Sequence, residues 1–207
     1  MLHDVLWERN IDLAGQCLDH PFLRRLGDGT LNPDCFRRYI AQDAFFLESF
    51  LRAYAVAGAK CADLRHVKVF HEFMTGALEE LKMHAGYVRS LGIDVTQVKP
   101  YPATRAYVDF LQAMAWHEPP GITLAAMTPC MRLYAYVGSA LAAASPPRNP
   151  FQDWIDTYAG EDFHAVAADV ESLLDALAHD EPAVHDAYRY AMQCELAFFT
   201  APLEDET

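Results

Sequence analysis

No apolar run in the sequence reaches the roughly 18 residues that a membrane-spanning helix needs, so no membrane span and no membrane partner are expected. No C-x-x-C pair occurs: the five cysteines stand at positions 17, 35, 61, 130 and 194. An odd count without paired spacing speaks against a disulfide framework or a zinc site and suits a reducing compartment. Basic residues are scarce, 16 lysines and arginines against 29 acids, giving a formal net charge of -13. A broad acidic field repels phosphate backbones, and no basic recognition helix is visible, so nucleic acid is not an expected partner. The N-terminal "MLHDVLWERN" mixes acids among its apolar residues and lacks the layout of a secretory signal. A soluble, cytoplasmic protein is the expectation. Alternating β-branched runs are almost missing, and so are low-complexity segments and internal repeats of 20–50 residues.

What is present is helical periodicity over most of the 207 residues, a length that suits one large domain or two small ones. A first amphipathic helix is expected over about 3–18, and "GDGT" at 27–30 reads as a turn. Asn32 before Pro33 reads as a helix start, opening a helix to about Lys60 that is apolar almost all round and therefore central. Asp63 caps the next helix and Gly92 ends it; "VKPYPATRAY" leads as a loop into another that ends near Trp116. The "EPPG" and "SPPRNP" breaks bound a helix over about 122–144, and three more follow near 150–159, 162–178 and 182–200. The expectation is an all-α fold, residues 1–207 forming one domain, a single bundle of seven or eight helices.

Three polar groups stand where apolar residues belong. Asp43 in "YIAQDAFFLESF" shares a helix face with Phe46, Leu47 and Phe50; Glu195 in "YAMQCELAFF" shares one with Ala191, Met192, Phe198 and Phe199. An unpaired buried carboxylate costs several kcal/mol, so such acids are ordinarily paired for structural reasons, or held neutral for general acid work. Cys130 in "MTPCMRLYAYVG" follows Pro129 directly and precedes Tyr134 by one helical turn. Its ordinary role is that of a small hydrophobe. A helix restarting at Pro129 with Thr128 as cap would instead put the thiol in a first turn, where the helix dipole favours thiolate. A metal reading is thin. Glu80 and His84 share a face, and Glu161 with His164 forms the one Glu-x-x-His, at an expected helix start. A di-iron bundle wants two such motifs and two further carboxylates, while Ala191 and Phe198 flank Glu195, so no metal and no cofactor are expected.

The segments "HPFLRRLGDGTL", "YIAQDAFFL", "EELKMH", "MTPCMRLYAYVG", "WIDTYAG" and "CELAFF" come in the order and spacing of the TenA, or thiaminase II, family, and the resemblance covers nearly the whole chain. It implies a haem-oxygenase-like all-α fold without haem, a homotetramer, and hydrolysis of 4-amino-5-aminomethyl-2-methylpyrimidine to the hydroxymethyl pyrimidine in thiamine salvage, with cleavage of thiamine as a second activity. By position, Cys130 matches the family nucleophile, which adds to carbon 6 of the ring. Glu195 matches the acid that protonates the leaving amine, and Asp43 the carboxylate on a ring nitrogen. Tyr134, Tyr158 and Tyr107 match tyrosines that orient the ring. The family often has tyrosine at the position of Phe46, so one hydroxyl of the expected pocket is absent, which bears on substrate preference. A non-catalytic pyrimidine-binding or regulatory protein and a metal-dependent oxidase are the rival readings on the same fold.

Overall fold

The computed structural model describes residues 1–94 and 97–204; the expected single domain of 1–207 includes residues outside these bounds. Ten α-helices and no strand occur among the described residues. They are α1 (Leu2–Arg9), α2 (Ile11–Leu18), α3 (Pro21–Asp28), α4 (Pro33–Ala59), α5 (Leu64–Ser90), α6 (Pro102–His117), α7 (Pro120–Ala144), α8 (Gln152–Ala159), α9 (Glu161–Leu177) and α10 (Pro182–Glu204). No helix among the described residues is long and apolar enough to cross a membrane.

Two helices lie at the centre. In α4, buried residues run from Cys35 to Gly58; in α7 nearly every residue from Gly121 to Val137 is buried. α4 packs against α5 and α6, and α7 against α8, α9 and α10. The core between them is strongly aromatic: Tyr39, Phe46, Tyr107, Tyr134, Trp154, Tyr158, Phe198 and Phe199 are all buried. Each fully buried large apolar side chain contributes roughly 1.5–3 kcal/mol, which supports the polar burial described below.

Three sequence expectations are corrected. The expected first helix is two, because Asn10 leaves helical geometry (φ -119°, ψ 13°) while its side chain donates to the Leu6 carbonyl at 2.8 Å and accepts from Arg189 at 3.1 Å. An asparagine that bonds the preceding turn competes with the backbone ladder and ends it. Between the expected helix and turn lies α3, capped by His20, whose Nδ1 accepts from the Phe22 amide at 3.2 Å. Gly27 and Asp28 therefore end a helix, and the turn falls on Gly29 (φ 80°), a left-handed position suited to glycine. Finally, α6 begins at Pro102, within the stretch expected to be loop.

The "QD" pair divides its labour. Gln42 accepts from the Tyr101 amide and the Thr104 hydroxyl, both at 2.8 Å, and donates to the Lys99 carbonyl at 3.1 Å. It thus fastens the start of α6 to α4 beside Asp43. On the other side of the core, a Cβ placed on Gly138 would lie 2.5 Å from the Tyr158 carbonyl carbon, so only glycine lets α8 approach α7 and bring Tyr158 to Tyr134. Elsewhere in a helix interior, glycine to alanine stabilises by about 0.5–1 kcal/mol. Gly138→Ala is expected to reverse that sign, lowering the thermal midpoint by several degrees, as measured by circular dichroism on heating; an unchanged or higher midpoint contradicts the close approach.

Candidate active site

Six helices aim side chains at one region. α4 supplies Asp43 and Phe46, α5 supplies Glu80 and His84, and α6 supplies Tyr107. α7 supplies Cys130 and Tyr134, α8 supplies Trp154 and Tyr158, and α10 supplies Glu195. The sequence-expected residues are thus brought together, although they lie as far apart in the chain as positions 43 and 195.

Glu195 is the most enclosed of the site's carboxyls, 1% exposed. The Tyr107 hydroxyl donates to its Oε1 at 2.8 Å, and the Cys130 thiol hydrogen-bonds with it. Burial pushes its carboxyl up to about 8, against the opposing pull of those two bonds, with the Asp43 charge adding to the rise. Desolvation alone raises Asp43 to about 7. His84 Nε2 lies 3.5 Å from Asp43 Oδ2, beyond the strong hydrogen-bond range. That ring nitrogen is buried without a hydrogen-bond partner among the described residues, so a third polar atom can bridge the two groups.

Glu80 completes the set. Burial and the Asp43 charge raise it to about 7, while a hydrogen bond with Tyr158 opposes the rise. The sequence offered Glu80 and His84 only as a metal pair. Their neighbour is Asp43; the sequence showed their shared face through the i, i+4 spacing, but not what that face meets. Asp43, Glu80, His84, Trp154 and Tyr158 line a pocket of about 90 Å³. Among the described residues no three His, Cys, Asp or Glu side chains are set to hold a metal ion. His164 bonds the Ser139 hydroxyl instead, at 3.0 Å.

The thiol departs from expectation. α7 runs unbroken through Pro129, and the Thr128 hydroxyl donates back to the Leu124 carbonyl at 2.8 Å rather than capping a new helix. Proline removes the amide that would have bonded the Ala125 carbonyl, but tertiary packing holds the helix. Cys130 therefore lies in the interior of α7 and not in the first turn of a helix. Desolvation, then the carboxylates of Glu195, Glu80 and Asp43, hold its pKa well above the ordinary thiol range. It rests as a thiol, and among the free cysteines it keeps partial exposure, as does Cys61, whereas Cys17, Cys35 and Cys194 are buried.

Aromatic rings wall the region. Phe46 lies 4.8 Å from Tyr107, and Tyr134 4.8 Å from Tyr158, edge to face. The Tyr134 and Tyr39 hydroxyls are 3.0 Å apart, so Tyr39, not singled out in the sequence, fixes the ring of Tyr134. A thiol, three carboxyls biased toward their neutral forms and aromatic walls can add a nucleophile to a flat heteroaromatic ring and donate protons to a leaving group.

The profile of the TENA/THI-4/PQQC family matches residues 8–204. The chain belongs to that family. It is 37% identical over 198 residues to the thiamine biosynthesis multifunctional protein ThiED of Corynebacterium efficiens, covering 93% of this chain and 26% of that protein. It is 36% identical over 216 residues to the mitochondrial bifunctional TH2 protein of Arabidopsis thaliana, covering 90% of this chain and 35% of that one. The chain therefore spans about a quarter to a third of the length of these relatives. The aminopyrimidine aminohydrolase of Bacillus subtilis is 30% identical over 165 residues, 78% of this chain and 70% of its own. Among solved structures, a TenA family transcription regulator from a Silicibacter species superposes with a TM-score of 0.92 at 26% identity, covering 98% of this chain and 96% of its own. A Shewanella denitrificans domain with a haem-oxygenase-like fold superposes at 0.73 and 18% identity, covering 99% and 91%. The fold is thus haem-oxygenase-like and all-α, as the resemblance implied.

The raised carboxyls set a sign for stability. Asp43, Glu80 and Glu195 hold protons in the folded state up to about 7, 7 and 8, where the unfolded chain has lost them. The stability they contribute is complete below the unfolded carboxylate range, near pH 4, and is lost as pH rises through about 7–8. The thermal midpoint at pH 8 is expected to fall below that at pH 6 by on the order of 5–10 °C, and Glu195→Gln is expected to flatten that slope; a midpoint that rises over this range contradicts the assignment.

Proposed function

We propose that this protein hydrolyses 4-amino-5-aminomethyl-2-methylpyrimidine to the hydroxymethyl pyrimidine and ammonia, using Cys130 as nucleophile. The observation that carries the reading is the meeting of Cys130, Tyr107 and Glu195 in one hydrogen-bonded group facing Asp43. The name of the Bacillus subtilis relative supports the reaction class.

In this reading the ring lies between the aromatic walls, with a ring nitrogen against Asp43. The Cys130 sulfur bonds to ring carbon 6, and the thiol proton ends on the ring nitrogen held by Asp43. The electron pair gained by the ring then expels the amine from the exocyclic carbon. The departing nitrogen takes the Glu195 proton and leaves as ammonia. Water bonds to the exocyclic methylene and gives a proton to Glu195. The carbon–sulfur bond breaks last, as the ring nitrogen returns its proton and the thiol re-forms. Each proton has a stated source: near neutral pH, Glu195 and Cys130 both rest protonated. A general acid with a pKa near the working pH contributes about 10²–10⁴-fold in rate. Cleavage of thiamine at the same carbon follows the same electron flow.

The direct test is ammonia release from the aminomethyl pyrimidine, run beside thiamine and simple pyrimidine analogues; no release from any of them removes the reading. Cys130→Ser is expected to fold and bind but lose most turnover, since a hydroxyl without an adjacent strong base is a weak nucleophile. Near-parental rates in that variant would remove the covalent route.

The Tyr107 hydrogen bond lowers the Glu195 pKa, so Tyr107→Phe raises it. The alkaline limb of the kcat profile, expected near pH 8 in the parent, moves upward in that variant. A limb that stays put means Glu195 is not the acid. Glu195→Gln is expected to lower kcat by about 10²–10⁴-fold while substrate still binds.

A further inference from the structure

His84 is a buried polar group beside the site to which the reaction above gives no part. It stands on α5, is 7% exposed, and lines the small pocket with Asp43 and Glu80. Its ring donates to the carbonyl of Ile40, three residues before Asp43 on α4. Nε2 has no hydrogen-bond partner among the described residues, so that bond belongs to Nδ1, which carries the hydrogen it donates. Burial holds the imidazole below its ordinary pKa, so the ring is neutral near neutral pH. A neutral ring with its hydrogen on Nδ1 leaves a bare lone pair on Nε2. That lone pair stands 3.5 Å from Asp43 Oδ2.

Two lone pairs facing one another in a dry core repel, whereas a carboxyl proton on Oδ2 turns the same contact into a hydrogen bond. Burial alone moves the Asp43 carboxyl, so no other side chain among the described residues competes for its proton. Glu80, the other acid on the pocket, hydrogen-bonds with Tyr158 instead. At 3.5 Å the bond is long, and catalytic hydrogen bonds of this kind tighten when substrate binds. One water in the pocket would relay it in the same sense.

The consequence falls on the other oxygen. A proton held at Oδ2 leaves Oδ1 an acceptor only. An acceptor repels the lone pair of an unprotonated ring nitrogen, and it bonds the same nitrogen once that has taken the thiol proton and become an N–H donor. The interaction is then stronger in the transition state than in the ground state, which is the kind that raises kcat.

We propose that His84 is a positioning residue that holds the Asp43 proton on Oδ2, so that Oδ1 accepts from the ring nitrogen as the Cys130 adduct forms. The proposal rests on the function proposed above. In that step the carbon–sulfur bond forms, the thiol proton passes to the ring nitrogen, and the Asp43 proton stays between Oδ2 and Nε2.

Two substitutions separate proton placement from packing. His84→Phe keeps a flat ring in the same space and removes the acceptor. The Asp43 proton is then free to turn to Oδ1 and donate to the ring nitrogen of bound substrate or product. Ground-state binding tightens while the adduct loses its acceptor. His84→Gln puts an amide oxygen near the place of Nε2 and restores the acceptor. Steady-state ammonia release is measured beside calorimetric binding of the hydroxymethyl pyrimidine. His84→Phe is expected to lower kcat by about tenfold or more and, together with it, to lower KM and the Kd of the product by about threefold or more. His84→Gln is expected to lie closer to the parent in all three. A packing role alone gives a lower kcat with KM and Kd unchanged or raised. That result overturns the proposal, and so does a His84→Phe variant that matches the parent.

Nitrogen-15 magnetic resonance of the histidine-labelled parent reads the tautomer without any chemistry, the His84 signals being assigned by their loss in His84→Gln. Hydrogen on Nδ1 and a bare Nε2 near neutral pH support the proposal. Hydrogen on Nε2 overturns it even where His84→Phe fails to fold, because His84 would then donate to Asp43. Failure of the parent to release ammonia overturns instead the function on which the role rests, and the tautomer is read independently of it.

Discussion

The site depends on burying ionisable groups without a countercharge. Asp43 and Glu195 are 8% and 1% exposed, and no lysine or arginine stands among the groups that shift them or Glu80. An isolated carboxylate in such surroundings costs several kcal/mol, and the molecule meets that cost by keeping the proton. The neutral acid then needs only hydrogen bonds, which Tyr107 supplies to Glu195 and Tyr158 to Glu80. The same dryness keeps Cys130 a thiol. In the proposed reaction, reactivity is therefore stored in the arrangement of protons rather than in a standing thiolate.

The fold exists to keep that region dry while crossing it with six helices. Two central helices, α4 and α7, carry Asp43 and Cys130; α10 adds Glu195, α5 adds Glu80 and His84, and α6 and α8 close the walls with aromatic rings. Close approach at Gly138 and the Gln42 clamp set the distances between walls. Small errors in such packing are felt, since interiors are packed to crystal-like density. The small pocket and the larger groove beside it share Glu80 and Thr157 as lining residues.

Much of this was legible in the sequence, for physical reasons. Asn32–Pro33, Asp63 and the proline-rich breaks are local signals, and the structure places helix ends at them. Asp43, Glu195 and Cys130 stood out because each is polar within an apolar helical repeat, a contrast visible one helix at a time. The break at Asn10 and the cap at His20 were hidden, because one depends on a side chain bonding the preceding turn and the other uses an uncommon capping residue. Glu80 and His84 sit on a helix of mixed polarity, and only the packing of α5 on α4 turns them toward Asp43. The state of the thiol was misread from Pro129, because burial in the assembled core decides it, with three carboxyls from three other helices adding to the effect. Electrostatics of that kind belongs to the assembled core and has no trace in local sequence.

The central claim is that the buried carboxyls stay protonated near neutral pH. Carbon-13 labelling of the aspartate and glutamate carboxyls, followed by nuclear magnetic resonance across a pH titration of the free protein, reads it directly. Substitution of Asp43, Glu80 and Glu195 one at a time assigns the signals. The account predicts three carboxyl resonances that titrate far above the rest, two near 7 and that of Glu195 near 8. A spectrum in which every carboxyl titrates below about pH 5, the ordinary carboxylate range, would contradict it.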